Sequence, residues 1–199
     1  MDASAWDERY AAAELVWSAG PNQFVESELA DLPPGRALDL ACGEGRNARW
    51  LAERGWQVTA MDFSSVAVAK ARSLHDAVDW QVGDALTAKL PERLDLVVIA
   101  YLQIPADERT LVMRRAFAAL RPGGRLLVVA HDSTNIAEGT DGPQDPAVLY
   151  TAEDVLADLA GHELEAVLAG RFERAVKDVD EHGSEGIAWD ALVHLTRVA

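Results

Sequence analysis

The chain has 199 residues, a formal net charge of −15, 49 % hydrophobic and 26 % charged residues, and a single cysteine, Cys42. That is one domain's length with an ordinary core-forming composition. One cysteine excludes an intrachain disulfide and a zinc site built from cysteines, and so acidic a chain argues against a nucleic-acid backbone or an anionic membrane surface as partner.

The opening residues, MDASAWDERY, are polar and acidic and lack the basic and apolar segments of a signal peptide. The longest apolar runs, such as LVVIAYL (96–102), have strand length and are too short to cross a bilayer. A cytoplasmic enzyme or binding protein, monomeric or weakly dimeric, is the expectation. WDERYAAAELVW and NQFVESELADL read as one or two helices within residues 1–35, able to cover a sheet or a ligand site. After the LPPG breaker, RALDLA (36–41) is the first strand, and ARWLAERG (48–55) is a helix stopped by Gly55. WQVTAMD (56–62) is the second strand, SSVAVAKARSLH (64–75) a helix with Ser64 or Ser65 as N-cap, and VDWQVGD (78–84) the third strand. LDLVVIAYL (94–102) is a continuous buried strand. ADERTLVMRRAFAAL (106–120) is a helix closed by the turn RPGG (121–124), and RLLVVAHD (125–132) is the fifth strand. STNIAEGTDGPQDPAV (133–148) is a polar Gly/Pro loop, and 133–150 is a candidate site lid. TAEDVLADLAG (151–161) is a helix with a capping-box pattern from Thr151 to Asp154. HELEAVLAGRFERAV (162–176) and GIAWDALVHLTRV (186–198) follow with no helix between them and read as an antiparallel hairpin on a sheet edge, joined by KDVDEHGSEG (177–186). Strands separated by helices imply a parallel sheet with right-handed crossovers, here a single domain with its core at 36–132.

In an open α/β sheet, ligands bind beyond the carboxyl ends of the strands, near the switch in strand order. Polar groups stand at four such ends: Asp39 with the Gly43–Gly45 turn, Asp62, Asp84, and the pair His131–Asp132. The turn needs its glycines so that backbone can bend sharply and a ligand can approach without a Cβ in the way. Gly43, Gly45 and Ala48 also fit the dinucleotide fingerprint. Taken in isolation, the turn divides evenly between a nucleotide-type cofactor site and a tight structural turn. Asp62 can accept hydrogen bonds from both hydroxyls of a ribose, or cap the helix that starts at Ser64. To this point a nicotinamide-binding domain fits equally well.

Three features separate these readings. Asp39 lies inside the strand ahead of the turn, where a carboxylate can orient the loop or meet an ammonium group. Asp84 follows the third strand, where an acid can accept from an adenine amino group while Ala85 offers its N–H. The final pair of strands has no place in a simple nicotinamide fold, and Arg46 is the one basic candidate nearby for a pyrophosphate. Together they describe a cofactor with an ammonium group, a ribose and an adenine but no phosphate, which is S-adenosylmethionine.

On ALDLACGEG (37–45), VTAMDFS (58–64), VGDAL (82–86), LDLVVIAYL (94–102) and LRPGGRLLVV (120–129), the chain resembles the class I S-adenosylmethionine-dependent methyltransferases. The resemblance implies a Rossmann-like α/β fold: a seven-stranded, mostly parallel sheet in order 3-2-1-4-5-7-6, strand 7 antiparallel, with helices on both faces. WDERY, GPNQFV, GEGRNARWLAERGWQVTAMDFS and YLQIP look like the small-molecule branch, of the tellurite-resistance and thiopurine type, with Gln103 where that branch leads one to expect histidine. That branch implies an N-terminal segment folded over the cofactor, with Trp17, Asn22 and Phe24 as contacts, Phe24 on the substrate side. By position, Asp39, Gly43 and Gly45 would face the amino-acid half of the cofactor and Arg46 its carboxylate. Asp62 would take the ribose, Phe63 the adenine face, Asp84 and Ala85 the adenine edge, and Ala100 would line the sulfonium region.

Methyl transfer from a sulfonium needs placement and exclusion of water more than a side-chain nucleophile. His131 and Asp132 are the candidates for a base or for acceptor positioning, with local capping or pairing as the alternative. Tyr101 and Gln103 are candidate acceptor contacts. Cys42 reads as packing, and His75, His162, His182 and His194 as surface or edge positions without a role. The acceptor is expected to be a small molecule, not nucleic acid, and no metal is called for. A nicotinamide oxidoreductase and a non-catalytic S-adenosylmethionine-binding protein are the alternatives.

Overall fold

The computed structural model describes residues 3–13, 15–16, 19–176 and 186–199. Helices α1 (Ala3–Ala11) and α2 (Gln23–Leu29) precede a regular alternation: β1 (Arg36–Leu40), α3 (Arg46–Glu53), β2 (Gln57–Asp62), α4 (Ser65–Leu74), β3 (Asp79–Val82), β4 (Leu94–Ala100), α5 (Ala106–Ala119) and β5 (Leu120–His131). A short helix α6 (Asn135–Glu138), a 3₁₀ turn (Pro146–Val148), α7 (Ala152–Asp158), β6 (Leu164–Val176) and β7 (Gly186–Arg197) complete the chain. The seven strands form one sheet in the order β3-β2-β1-β4-β5-β7-β6. β7 is antiparallel to both neighbours, and the other pairs are parallel.

Alternation along the strands sends side chains into two buried layers. Leu38, Leu40, Val97, Ile99, Leu126 and Val128 pack towards α5 and α7. Ala37, Val58, Leu96, Val98, Leu127 and Val129 pack with Phe24, Leu29, Trp50 and Leu51 of α2 and α3. Ser64 caps α4 through its hydroxyl, and the Thr151–Asp154 capping box opens α7 as its spacing predicts. The RPGG stretch differs from expectation. It does not break the chain between α5 and β5 but lies within β5, and the register shifts between Leu94 and Leu96 of β4 to absorb it. Gly123, in the left-handed region at φ 77°, takes the bend.

The strand order reverses between β1 and β4. At this switch point both strands end in a non-glycine residue of left-handed conformation: Ala41 (φ 61°) after β1 and Tyr101 (φ 59°) after β4. Each costs about 1–2 kcal/mol against an ordinary backbone. Strain of this kind gathers where a fold turns its backbone to present groups to a ligand.

Candidate active site

The loop after β1 is held by its own backbone and by β2. Cys42 N–H donates to Met61 O at 3.0 Å, and Gly45 N–H to Cys42 O at 2.9 Å. Gly43 (φ 54°) is buried and donates its N–H to Asp62 Oδ2 at 2.8 Å. Asp62 Oδ1 accepts from Ser64 N–H at 2.9 Å, so this carboxylate ties the loop to the start of α4. Burial raises the Asp62 carboxyl in spite of these two N–H groups. A carboxylate offers about four lone-pair sites, so both oxygens can still accept from hydroxyls. Gly45 (φ 77°) starts α3, and a Cβ there would lie 2.2 Å from Trp80 Cη2. Its glycine is demanded by packing as well as by φ.

Asp39 is the unsatisfied member of the group. Its neighbours Leu38 and Leu40 point into the α5 side, so Asp39 points to the other face, and it is 1 % exposed. Its Oδ2 is buried without a hydrogen-bond partner. Burial pushes its carboxyl up to about 7, with the charge of Asp62 adding to the rise and the Ala48 N–H and Arg46 opposing it. Burial beside Asp39 and Asp62 also drives the thiol of half-buried Cys42 well up, away from the thiolate form.

Polar contacts lash the N-terminal segment to this loop and to α4. Asp7 accepts from Ser64 Oγ and Val66 N–H. Lys70 Nζ donates to the carbonyls of Tyr10 and Ala13 and pairs with buried Glu44 at 3.3 Å. Glu44 in turn accepts from Val16 N–H at 2.8 Å. Asn22 caps α2, accepts from Phe24 N–H, and donates its N–H to Asn47 Oδ1 at 2.9 Å and its amide to Tyr101 Oη at 3.1 Å.

On the other side of the switch point, Tyr101 donates its hydroxyl to Asp190 Oδ2 at 2.8 Å, and Arg174 Nε donates to the same oxygen at 2.7 Å. Burial and Asp190 push the tyrosine hydroxyl far up. The guanidinium groups of Arg46 and Arg174 lie 5.9 and 5.6 Å from the Tyr101 ring centre, and the His131 ring lies 4.8 Å from it. His131 Nδ1 is 3.6 Å from Asp190 Oδ1.

A sequence profile described as a methyltransferase domain matches residues 37–124, the stretch that builds this loop and strands β1 to β4. Residues 37–124 thus match a methyltransferase domain, and the sheet has the strand order of the class I methyltransferase fold. The chain is similar to the ubiquinone/menaquinone biosynthesis C-methyltransferase of Desulfotalea psychrophila, 36 % identical over 129 residues that cover 59 % of this chain and 51 % of the relative. It is also similar to a ribosomal RNA small subunit methyltransferase C from Alcanivorax borkumensis, 35 % identical over 49 % of this chain and 33 % of the relative. The chain spans about half the length of the curated quinone-pathway relatives it matches. Among solved structures, the N-methyltransferase NodS of Bradyrhizobium japonicum in complex with S-adenosyl-L-homocysteine superposes with a TM-score of 0.74 at 18 % identity, over 99 % of both chains. That likeness establishes the fold.

Within this methyltransferase fold, the structure gathers Asp39, Gly43, Gly45, Arg46, Asp62 and Tyr101 around the ends of β1, β2 and β4. Phe63, Ala85 and Ala100 are half-buried at strand ends, and Asp84 Oδ1 accepts from Leu86 N–H in a local turn. Four expectations need correction. Gln103 is not the unengaged acceptor contact expected: its carbonyl accepts from His131 N–H and one amide N–H donates to Val148 O. Asp132 is buried and caps the next turn, accepting from Thr134 N–H and Oγ1, so the capping alternative holds for it. Phe24 packs in the core against Phe172, 6.2 Å between ring centres. His194 is not at the surface: it is 2 % exposed, between Glu28 and Arg125. Trp17 and His182 lie outside the described residues. The 133–150 segment is pinned to β7, with Trp189 N–H donating to Asn135 Oδ1 and Thr140 N–H to Ile187 O. The sequence reading missed Glu44, Lys70, Arg174 and Asp190. For Asp190 a signal existed, an acid interrupting the apolar run IAWDALVHL as Asp39 interrupts RALDLA. Among the described residues no helix is long and apolar enough to cross a membrane.

Proposed function

We propose that the protein binds S-adenosylmethionine at the β1–β2 end of the sheet and transfers its methyl group to a small-molecule acceptor at the β4–β5–β7 end. The observation that carries this reading is Asp39 Oδ2, a buried acceptor with no partner, in the strand that leads into a loop built for close approach. An ammonium group satisfies it and repays the burial of its charge. The rest of the donor set fits the same ligand. Asp62 keeps lone pairs for ribose hydroxyls, Phe63 is assigned to the adenine face, and Asp84 and Ala85 to the adenine edge. Arg46, at the first turn of α3, fits the carboxylate.

When bound, the cofactor supplies a methyl group on a sulfonium, an electrophile with an excellent leaving group. The chain's own work is then positional. The Glu44–Lys70 and Asp7–Ser64 contacts tie the N-terminal segment to the loop and to α4. Ala100 leaves room at the end of β4, and Tyr101, fixed by Asn22 and Asp190, walls the acceptor side. The formal charge of −15 supports a small acceptor over an RNA. Isothermal titration with S-adenosylhomocysteine and with NADH, followed by incubation of methyl-labelled S-adenosylmethionine with a metabolite panel and with ribosomal RNA, tests the reading. Binding of S-adenosylhomocysteine and labelling of a metabolite are expected. Binding of NADH alone, labelling of RNA alone, or binding without turnover would each replace it.

A further inference from the structure

Asp190 is fully buried in β7. Because β7 runs antiparallel, its beginning lies at the edge where the parallel strands end, and Asp190 is registered directly against His131. Its Oδ2 is taken by Tyr101 and Arg174. Its Oδ1 is buried without a partner, and so is His131 Nδ1, 3.6 Å away. The two orphans face each other across a gap that a small ring rotation closes, and hydrogen bonds of this kind often stand long before substrate binds. The His131 side chain keeps 12 % exposure although Nδ1 is buried, so its open edge is the one that carries Nε2 and Cδ2.

We propose that Asp190 is a positioning residue for His131: it holds the imidazole as the Nδ1–H tautomer and leaves the Nε2 lone pair to take a proton from an acceptor that is an alcohol, a phenol or an amine. This rests on the methyltransferase reading above. The acceptor oxygen or nitrogen gains its bond to the methyl carbon while the sulfonium C–S bond breaks, the electron pair staying on sulfur. The O–H or N–H bond of the acceptor breaks and an Nε2–H bond forms. The resulting imidazolium lies beside the Asp190 carboxylate and later releases its proton to water. Four charged or titratable groups face the ring: Asp190 from β7, Arg174 from β6, Asp141 from the loop after α6, and Tyr101 after β4. Burial and Arg174 hold its pKa below the ordinary value while Asp190 and Asp141 pull it up, so the ring is neutral at pH 7 and able to accept.

The test is a ¹H–¹⁵N correlation of the imidazole nitrogens in the full-length protein at pH 8, with the His131 signals assigned from their loss in His131→Gln. The Nδ1–H tautomer is expected in the wild type, lost in Asp190→Asn and kept in Arg174→Gln. Nε2–H in the wild type overturns the proposal, and this readout stands even where Asp190→Asn fails to fold. An unchanged tautomer in a folded Asp190→Asn overturns it as well. With an acceptor from the labelling panel, Asp190→Asn is expected to lose kcat by about 10²-fold, the scale of a general base, with KM nearly unchanged. Labelling confined to thioethers or carbon overturns the acceptor class. Tight S-adenosylhomocysteine binding with the Nε2–H tautomer sinks this proposal and leaves the methyltransferase reading standing. The Nδ1–H tautomer without such binding sinks that reading and the proton transfer with it, and leaves the His131–Asp190 bond.

Discussion

If Asp39 receives the cofactor's ammonium group, cofactor affinity must rise with pH over the range in which Asp39 ionises. In the ligand-free protein its carboxyl titrates at about 7. A bound cation lowers that value, so binding selects the carboxylate and expels a proton wherever one is held. The ionised fraction is about 3 % at about pH 5.5 and about 50 % at about pH 7, which makes affinity about 16-fold higher at the upper end, or about 1.6 kcal/mol. The ligand's own α-amino group stays protonated across this window, its reference pKa being about 7.7–8.0. Isothermal titration of S-adenosylhomocysteine in two buffers of different ionisation enthalpy measures both the slope and the protons released. In Asp39→Asn the side chain cannot ionise, so affinity at neutral pH falls and the slope shrinks to what Asp62 contributes. The same substitution is expected to raise the melting temperature of the ligand-free protein at pH 8. The folded pKa, about 7, lies above the unfolded 3.8, so the folded state holds the proton more tightly and stability falls as pH rises between the two. Wild-type affinity that is flat with pH and releases no proton refutes the argument, as does an Asp39→Asn protein with the wild-type slope.

Gly45→Ala is expected to cost about 2–4 kcal/mol from the left-handed φ and the collision with Trp80, read as a fall in melting temperature; a shift within error would mean that Trp80 yields freely. His194 accepts from Arg125 on Nε2 and donates to Glu28 from Nδ1, an arrangement only the neutral ring satisfies. Burial and Arg125 lower its pKa, so its contribution is complete above the unfolded value of about 6.5 and is lost as pH falls below it. Denaturant unfolding should therefore show a larger loss from about pH 7.5 to about pH 5.5 in the wild type than in His194→Gln; parallel losses would refute it. Lys70→Met removes the donor to Tyr10 and Ala13 carbonyls and the partner of Glu44, so amide exchange in α1 should quicken and S-adenosylhomocysteine should dissociate faster; unchanged exchange would show that α1 docks by other means.

The sheet was legible because its strands are continuous apolar runs separated by helical ones, and the terminal hairpin because no helix divides it. Asp39, Asp62 and the glycine turn were legible because each breaks a local rule: an acid within an apolar strand, an acid at a strand end, two glycines ahead of a helix. The errors fall where a side chain's fate depends on distant chain. Gln103 spans from the end of β5 to Val148, and His194 meets Glu28 from a helix 166 positions earlier. No window of sequence contains those partners. RPGG failed for another reason, since a turn-forming tetrapeptide can also be absorbed as an irregularity within a strand when the neighbouring strand shifts register.

Asp39 and Asp190 flank the switch point as two acids buried in apolar strands, and they differ in how their charge is met. Asp190 already has a guanidinium and a hydroxyl on one oxygen, and its remaining oxygen faces an imidazole. Asp39 has an orphan oxygen, a neighbouring acid and a carboxyl that titrates at about 7. Removing the partner of a buried charge costs about 3–5 kcal/mol. A fold that holds Asp39 in this condition therefore carries a destabilising feature that a cation relieves on binding. Ala41 and Tyr101 add backbone strain at the ends of β1 and β4, on the two sides of the switch point. On the Asp190 side the charge already meets a guanidinium and a hydroxyl, and the open oxygen faces an imidazole of the same chain, so this side can present a wall to an acceptor. The Asp39 side is complete only when loaded, which places the energetic gain of binding at the cofactor end and leaves geometry as the business of the acceptor end.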